Sequence, residues 1–230
     1  MKNVLVIDIG GTNVKMMISG EKKRKFGSGP NLTPKQLIKG IEANIADWNY
    51  DRISIGFPSV VRDNKILRNP KHLGGNWVNW DPQSSLGKPF RIINDAAMQA
   101  LGSYHNRGRM LFLGLGTGLG SALVWGRNLM PLELGDLPYP GEDRIEDRVG
   151  ANGLEELGRK AWQREVFDIV TKLKAAFVAD HVVLGGGNAK EMDELPKGVE
   201  LGHNRNAYPG GVRLWETDSR TRQPKWNVID

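Results

Sequence analysis

The stretch that decides the fold is Val4-Leu-Val-Ile-Asp8-Ile-Gly10-Gly11-Thr12-Asn13-Val14-Lys15. Residues 4–9 are a continuous apolar run interrupted only by Asp8, the pattern of a strand buried on both faces. Gly10-Gly11-Thr12-Asn13 is a turn signal, and Val14 to Ser19 reads as a returning strand. The two predict a hairpin with Asp8 at the end of its first strand. The same order recurs further on: Met110 to Leu115, then Gly116-Thr117-Gly118-Leu119-Gly120, then Ser121 to Trp125. A repeat of strand, Gly-Thr turn and strand predicts two related halves.

Between and beyond the hairpins, the local signals are clear. Thr33-Pro34 is an N-cap followed by Pro at the first helical position. Leu37, Ile38, Ile41 and Ile45 then share one face, which predicts a helix from Lys35 to Ala46. Arg52 to Phe57 and Arg91 to Asn94 read as strands, and a helix begins at Asp95. Apolar residues from 154 to 177 keep a helical period, so one long helix is expected from Leu154 to Val178. His181 to Leu184 is a strand stopped by Gly185-Gly186-Gly187-Asn188. The polar, basic tail beyond Arg213 is expected to be partly ordered at best. The best boundary between halves falls near Asn94, giving lobes 1–94 and 95–230.

Asn69 to Gln83 is a long loop holding Trp77, Trp80, Asn69, Asn76 and Asn79. Long loops in compact domains are often functional. Aromatic rings and amides suit a sugar, but packing of the same rings on the core is an equal reading.

Composition narrows the classes. Of 230 residues, 29 are Gly, about 13%, and none is Cys. Absence of Cys removes disulfides, thiolate zinc sites and Cys nucleophiles together. His72, His105, His181 and His203 lack metal-ligand spacing, so no zinc site is expected. No apolar run approaches the ~20 residues of a membrane span, and Met1-Lys2-Asn3-Val4 opens no signal peptide. A cytoplasmic protein without membrane association is the expectation. Net charge is +6, which suits a phosphorylated ligand or another polyanion. The run Lys22-Lys23-Arg24-Lys25 reads as a solvated turn rather than a nucleic-acid patch, since no nucleic-acid motif accompanies it.

Eleven of the glycines fall at 10–11, 114, 116, 118, 120, 185–187 and 210–211. Backbone N–H groups in such turns can face an anion, and Gly lets the backbone approach it closely. Neither the Walker A loop nor the dinucleotide fingerprint fits these clusters. Two Gly-Thr turns and a third Gly turn, with an Asp at a helix start between the first two, predict a cradle for a chain of phosphates.

That order resembles the ROK family (repressors, open reading frames and kinases), and within it the polyphosphate/ATP glucokinases. Asp8-Ile-Gly-Gly-Thr-Asn-Val-Lys15 is similar to the family's first phosphate motif, and Ile93-Asn94-Asp95-Ala96 to its catalytic segment. Leu113-Gly-Leu-Gly-Thr-Gly-Leu-Gly120 is similar to the second phosphate motif, and Leu184-Gly-Gly-Gly187 to the adenosine-side turn. Asn206-Ala207 with Gly210 resembles the last nucleotide-side loop. Gly56-Phe-Pro-Ser-Val-Val-Arg62 and the Trp-bearing loop resemble the polyphosphate glucokinases in particular.

The resemblance implies an α/β chain of the actin-like ATPase (ribonuclease H-like) fold, with two lobes around a central cleft. It implies a sugar kinase that moves a phosphoryl group from ATP or inorganic polyphosphate to the 6-hydroxyl of a hexose, with glucose the first expectation. Asp95 is the implied general base. Asn69, Asn94, Asp95, Glu133 and Asp136 are expected to meet the sugar. Gly10, Gly11, Thr12, Asn13, Gly116, Thr117, Gly118, Gly185, Gly186 and Gly187 are expected to hold the donor. Asp8 is expected to act near Mg²⁺, directly or through water. Lys15 either neutralises charge there or serves an exposed strand. A homodimer is the family expectation.

Two departures stand out. The family's zinc motif of His and Cys is missing. Glu133-Leu-Gly-Asp136 stands where the family has Glu-x-Gly-His, and an ionised Asp cannot donate a hydrogen bond. The competing function is a sugar- or nucleotide-sensing regulator. Such members carry an N-terminal DNA-binding module, and here the first phosphate motif opens the sequence.

Overall fold

In the computed structural model, which describes residues 3–141 and 143–229, the two glycine hairpins each seed a sheet. The first is built from β1 (Val4–Ile9), β2 (Asn13–Met17) and β3 (Arg24–Gly27). Helix α1 (Pro34–Ile45) crosses over to β4 (Arg52–Phe57). The small ribbon β5 (Val61–Arg62) and β6 (Lys65–Ile66), then helix α2 (Pro82–Leu86), lead to β7 (Phe90–Asn94). Strand order is β3-β2-β1-β4-β7, antiparallel on the hairpin side and parallel from β1 onward.

Helix α3 (Asp95–Ser103) then leads into β8 (Arg109–Leu115), β9 (Leu119–Trp125) and β10 (Asn128–Leu132). Helices α4 (Ile145–Val149), α5 (Ala151–Leu157) and α6 (Arg159–Ala176) precede β11 (His181–Gly185) and β12 (Val199–Leu201). Helix α7 (Ala207–Arg213) and β13 (Asn227–Val228) follow. Here the order is β12-β11-β8-β9-β10-β13. From β10 to β12 it repeats the first sheet strand for strand, an antiparallel meander continued by parallel strands. The repeat expected from the two hairpins is therefore a repeat of whole sheets.

Local chemistry explains the helix starts. Thr33 caps α1 in a reciprocal capping box with Gln36, and Pro34 opens it. Asp81 caps α2 through the N–H groups of Gln83 and Ser84. Among the described residues three apolar clusters form the core. Leu5, Ile7 and Ile9 of β1 pack with Leu37 and Ile41 of α1. Leu111 and Leu113 of β8 pack with Trp162, Val166 and Val170 of α6. Between the sheets lie α3 and α7, with Val4 and Val6 on one side and Met110 and Phe112 on the other.

Three expectations need correction. The long helix is two helices, broken at Gly158, which takes φ +70. Positive φ is incompatible with a continuing α-helix, whatever the apolar spacing. Gly210 and Gly211, grouped with the turns, lie inside α7. A Cβ on Gly210 would strike the Met98 carbonyl, and one on Gly102 the Asn206 carbonyl. These glycines let α3 and α7 touch backbone to backbone.

The tail is also ordered. The Arg52 and Arg91 guanidinium groups each lie 4.7 Å from the Trp215 ring centroid, and Trp215 Nε1 donates to Ser54 Oγ at 2.9 Å. Trp226 is buried, and β13 pairs with β10. The tail is thus pinned to both sheets by residues distant in sequence.

Candidate functional site

The carboxyl ends of β1, β4 and β7 converge, because the three strands are parallel neighbours in register. Asp8 and Asn94 stand at these ends, and Asp95 is the first residue of α3. Asn94 caps that helix, its Oδ1 accepting from Ala97 N–H at 3.1 Å. Asp95 Oδ1 accepts from Ala96 N–H at 2.9 Å. Gly56 lets β4 pack closely under the start of α3, since a Cβ there would strike Met98 Cε and stand 3.2 Å from Asp95 Cα.

Burial pushes the Asp95 carboxyl up to about 7, and the neighbouring charge of Asp8 adds to the rise. Asp8 is itself buried and takes the ammonium of Lys15 at 3.0 Å. Lys15 is therefore committed to Asp8 rather than left on an exposed strand.

The two Gly-Thr turns face each other. A Cβ on Gly11 would stand only 3.4 Å from Thr117 Oγ1. The first turn is braced by Ser28 Oγ, which donates to Gly10 O at 2.6 Å. The second is braced by Asn188, whose N–H reaches Leu115 O at 2.9 Å and whose Nδ2 reaches Gly116 O at 3.0 Å. Together they border a cavity of about 450 Å³ that also exposes Asp95. Of the residues expected to hold the donor, Gly10, Gly11, Thr12, Asn13, Lys15, Gly116, Thr117, Gly118, Gly186 and Gly187 line it. Asp8 and Gly185 lie beneath the lining. Gly185 is buried over the Phe112 ring, where a Cβ would clash.

Asn69, Asn94 and Glu133 line the same cavity. Asn69 Oδ1 accepts from Trp77 N–H at 2.9 Å, which fixes the loop. Trp77 is fully buried, 5.0 Å from Phe57 and 5.6 Å from Trp80 between ring centroids. Of the two readings of this loop, packing on the core is the one observed. Burial pushes Glu133 up, and Asp136 adds to the shift.

Asp136 does not line the cavity. Its carboxylate accepts from Lys71 at 2.5 Å, with Arg68 at 3.4 Å and Arg144 at 3.5 Å. The bond to Lys71 holds it below the usual carboxylate range. The expected sugar-facing aspartate is thus occupied by cations, which its negative charge attracts.

Several lining residues escaped the sequence reading: Ser59, Arg68, Lys71, His72, Gln99, Glu146 and Asn188. Ser59 and Asn188 sit inside quoted segments and could have been found there. Lys71 and Glu146 come from segments with no pattern of their own. Among the described residues no group of three or more His, Asp or Glu is placed to hold a metal. Nor is any helix among them long and apolar enough to cross a membrane.

Comparison with known proteins gives the family and the fold. The ROK family model matches residues 4–131. A polyphosphate glucokinase of Mycobacterium tuberculosis is 24% identical over 222 residues, covering 86% of this chain and 82% of that protein. The crystal structure of an inorganic polyphosphate/ATP-glucomannokinase from Arthrobacter sp. strain KM superposes with TM-score 0.80 at 22% identity, covering 92% of this chain and 97% of that one. A ROK family glucokinase from Streptomyces griseus, solved with glucose and AMPPNP, gives TM-score 0.71 at 16% identity, covering 92% and 98%. These likenesses show the fold, which is the actin-like ATPase fold of the ROK sugar kinases.

Proposed function

The chain belongs to the ROK family, and from that premise we propose that it is a hexokinase-type phosphotransferase. It moves a phosphoryl group from ATP or inorganic polyphosphate to the 6-hydroxyl of a hexose, with glucose the first candidate. The names of the relatives support both donors. The observation that carries the reading is Asp95, placed at the start of α3 in a cavity bordered by two facing Gly-Thr turns.

In the proposed reaction Asp95 takes the proton of the sugar hydroxyl. The freed oxygen attacks the terminal phosphorus, and the bond to the bridging oxygen breaks. ADP or a shortened polyphosphate leaves. A carboxyl held near 7 is suited to a general base at neutral pH. Thr12, Thr117 and the flanking N–H groups hold the donor, since positioning and electrostatics dominate phosphoryl transfer. Asn94, Asn69 and Glu133 orient the sugar.

For Mg²⁺ the candidate carboxylate is Asp8, which lies beneath the lining and is paired with Lys15. The ion is commonly bound by one or two carboxylates, with phosphates and water completing its shell. Asp8 supplies such a carboxylate, directly or through water, and its closeness to Asp95 is a charge repulsion that a cation would relieve. When bound, the ion neutralises phosphate charge. A lobe boundary at Asn94, a homodimer and a cytoplasmic setting belong to the same proposal.

The test is a panel of glucose, mannose, fructose and N-acetylhexosamines, each offered with ATP-Mg²⁺ or polyphosphate. Sugar-dependent donor consumption is expected. Sugar binding without turnover for every pair would overturn the enzyme reading in favour of a regulator.

A further inference from the structure

Two segments remote in sequence meet at the cleft through charge. One is the loop after β6, carrying Arg68 and Lys71. The other lies between β10 and α5, carrying Asp136 and Glu146. Lys71 Nζ stands 2.5 Å from Asp136 Oδ1 and 2.6 Å from Glu146 Oε1. Arg144 supports the pair, 3.5 Å from Asp136 and 2.9 Å from Glu146.

The two carboxylates reach different turns of the site, although Glu146 also packs against Gly135 beside Asp136. Asp136 closes the 3-10 turn that Glu133 begins, on the sugar side. Glu146 presses its carboxylate against the Thr117-Gly118 turn, occupying the space that a Cβ on Gly118 would need. One ammonium, delivered by the opposite loop, thus meets both carboxylates, which Arg144 bridges from within their own segment. The Glu146 side chain is only 13% exposed and that of Lys71 38%. This is a partly desolvated network rather than a free surface pair, and geometry counts for more in such networks. Burial alone would lower the Lys71 ammonium, but its bonds to Asp136 and Glu146 hold it above its ordinary value. It stays charged at any working pH.

We propose that Lys71 is a positioning residue, an ammonium latch between Asp136 and Glu146 that couples sugar binding to donor binding. This rests on the kinase reading for the identity of the ligands. Asp136 is then the latch's anchor rather than a sugar contact. Without Lys71, Glu146 would present a less compensated negative charge beside the turn assigned to the donor phosphates.

The test compares Lys71→Met and Lys71→Arg in the full chain. Hydrogen exchange of the protein without ligands reads the latch directly. Lys71→Met is expected to speed exchange in both 67–73 and 133–137, and Lys71→Arg to restore protection. In steady-state kinetics, Lys71→Met is expected to raise KM for sugar and donor by about tenfold, within the range of coupling between sites. Its effect on kcat is expected to be smaller, and Lys71→Arg should recover both KM values. Unchanged exchange in Lys71→Met would overturn the latch. Faster exchange with both KM values unchanged would overturn the coupling. If the native chain phosphorylates no sugar, the kinase reading fails while the exchange result still judges the latch.

Discussion

Lys15 and Asp8 are directly opposed register partners across the first hairpin, and the ammonium lies 3.0 Å from Asp8 Oδ2. The side chain of Asp8 is 2% exposed and that of Lys15 28%. Removing the lysine would leave a buried carboxylate without its cation. Lys15→Met is expected to lower unfolding stability by about 1–3 kcal/mol, less than for a fully buried pair because Lys15 is partly solvated. The urea midpoint measures this, and Lys15→Arg, which keeps a cation beside Asp8, should recover most of the loss.

Asp95→Asn removes the proposed base and should cut kcat by a factor of roughly 10²–10⁴. The same change removes a desolvated charge beside Asp8. Thermal stability at pH 8 is therefore expected to hold or rise while activity collapses. Wild-type turnover in this variant would refute the assignment.

The pH dependence follows from the same carboxyl. Its folded value of about 7 lies above its ordinary 3.8, so the folded state holds the proton more tightly. Its contribution to stability is full below about 3.8 and is lost as pH rises through about 7. Activity needs the ionised form and moves the opposite way. Denaturant midpoints of the protein without ligands, native minus Asp95→Asn, should fall between pH 4 and 8. A flat difference would contradict the shift.

Trp77→Ala separates core from sugar platform. A fully buried Trp is expected to cost about 3–5 kcal/mol on truncation. A midpoint within error of native, with only the sugar KM raised, would restore the platform reading.

Gly102→Ala places a methyl against the Asn206 carbonyl, where α3 meets α7. Overpacking against backbone is expected to cost about 1–3 kcal/mol. The same substitution at Gly75, where a Cβ meets nothing within 4 Å, is the control. Chemical denaturation of the two variants measures the difference.

What was legible in the sequence was local. The run Val4 to Ile9, the Thr33-Pro34 cap and the start of α3 at Asp95 each carry their own signal. The break at Gly158 was hidden because apolar spacing continues across it, and periodicity does not register the sign of φ. The ordered tail was hidden because Trp215 sits in a polar stretch and finds Arg52, Arg91 and Ser54 only in the folded chain. Lys71 and Asp136 lie 65 residues apart, and no pattern in either segment announces the other. The cradle could be read from its turns, but the charges around it required the fold.

The strap formed by residues 207–228 governs how the molecule is made. Val4 and Val6 share a core with Ala207, Leu214 and Trp226, so β1 cannot complete its packing until residues 207–226 have been made. The two sheets are therefore not independent stations of vectorial synthesis. Until then α3 covers only part of that face of the first sheet, and exposed apolar surface of this kind is prone to aggregation. Because the same strap contacts both sheets once it is in place, both halves are expected to melt together.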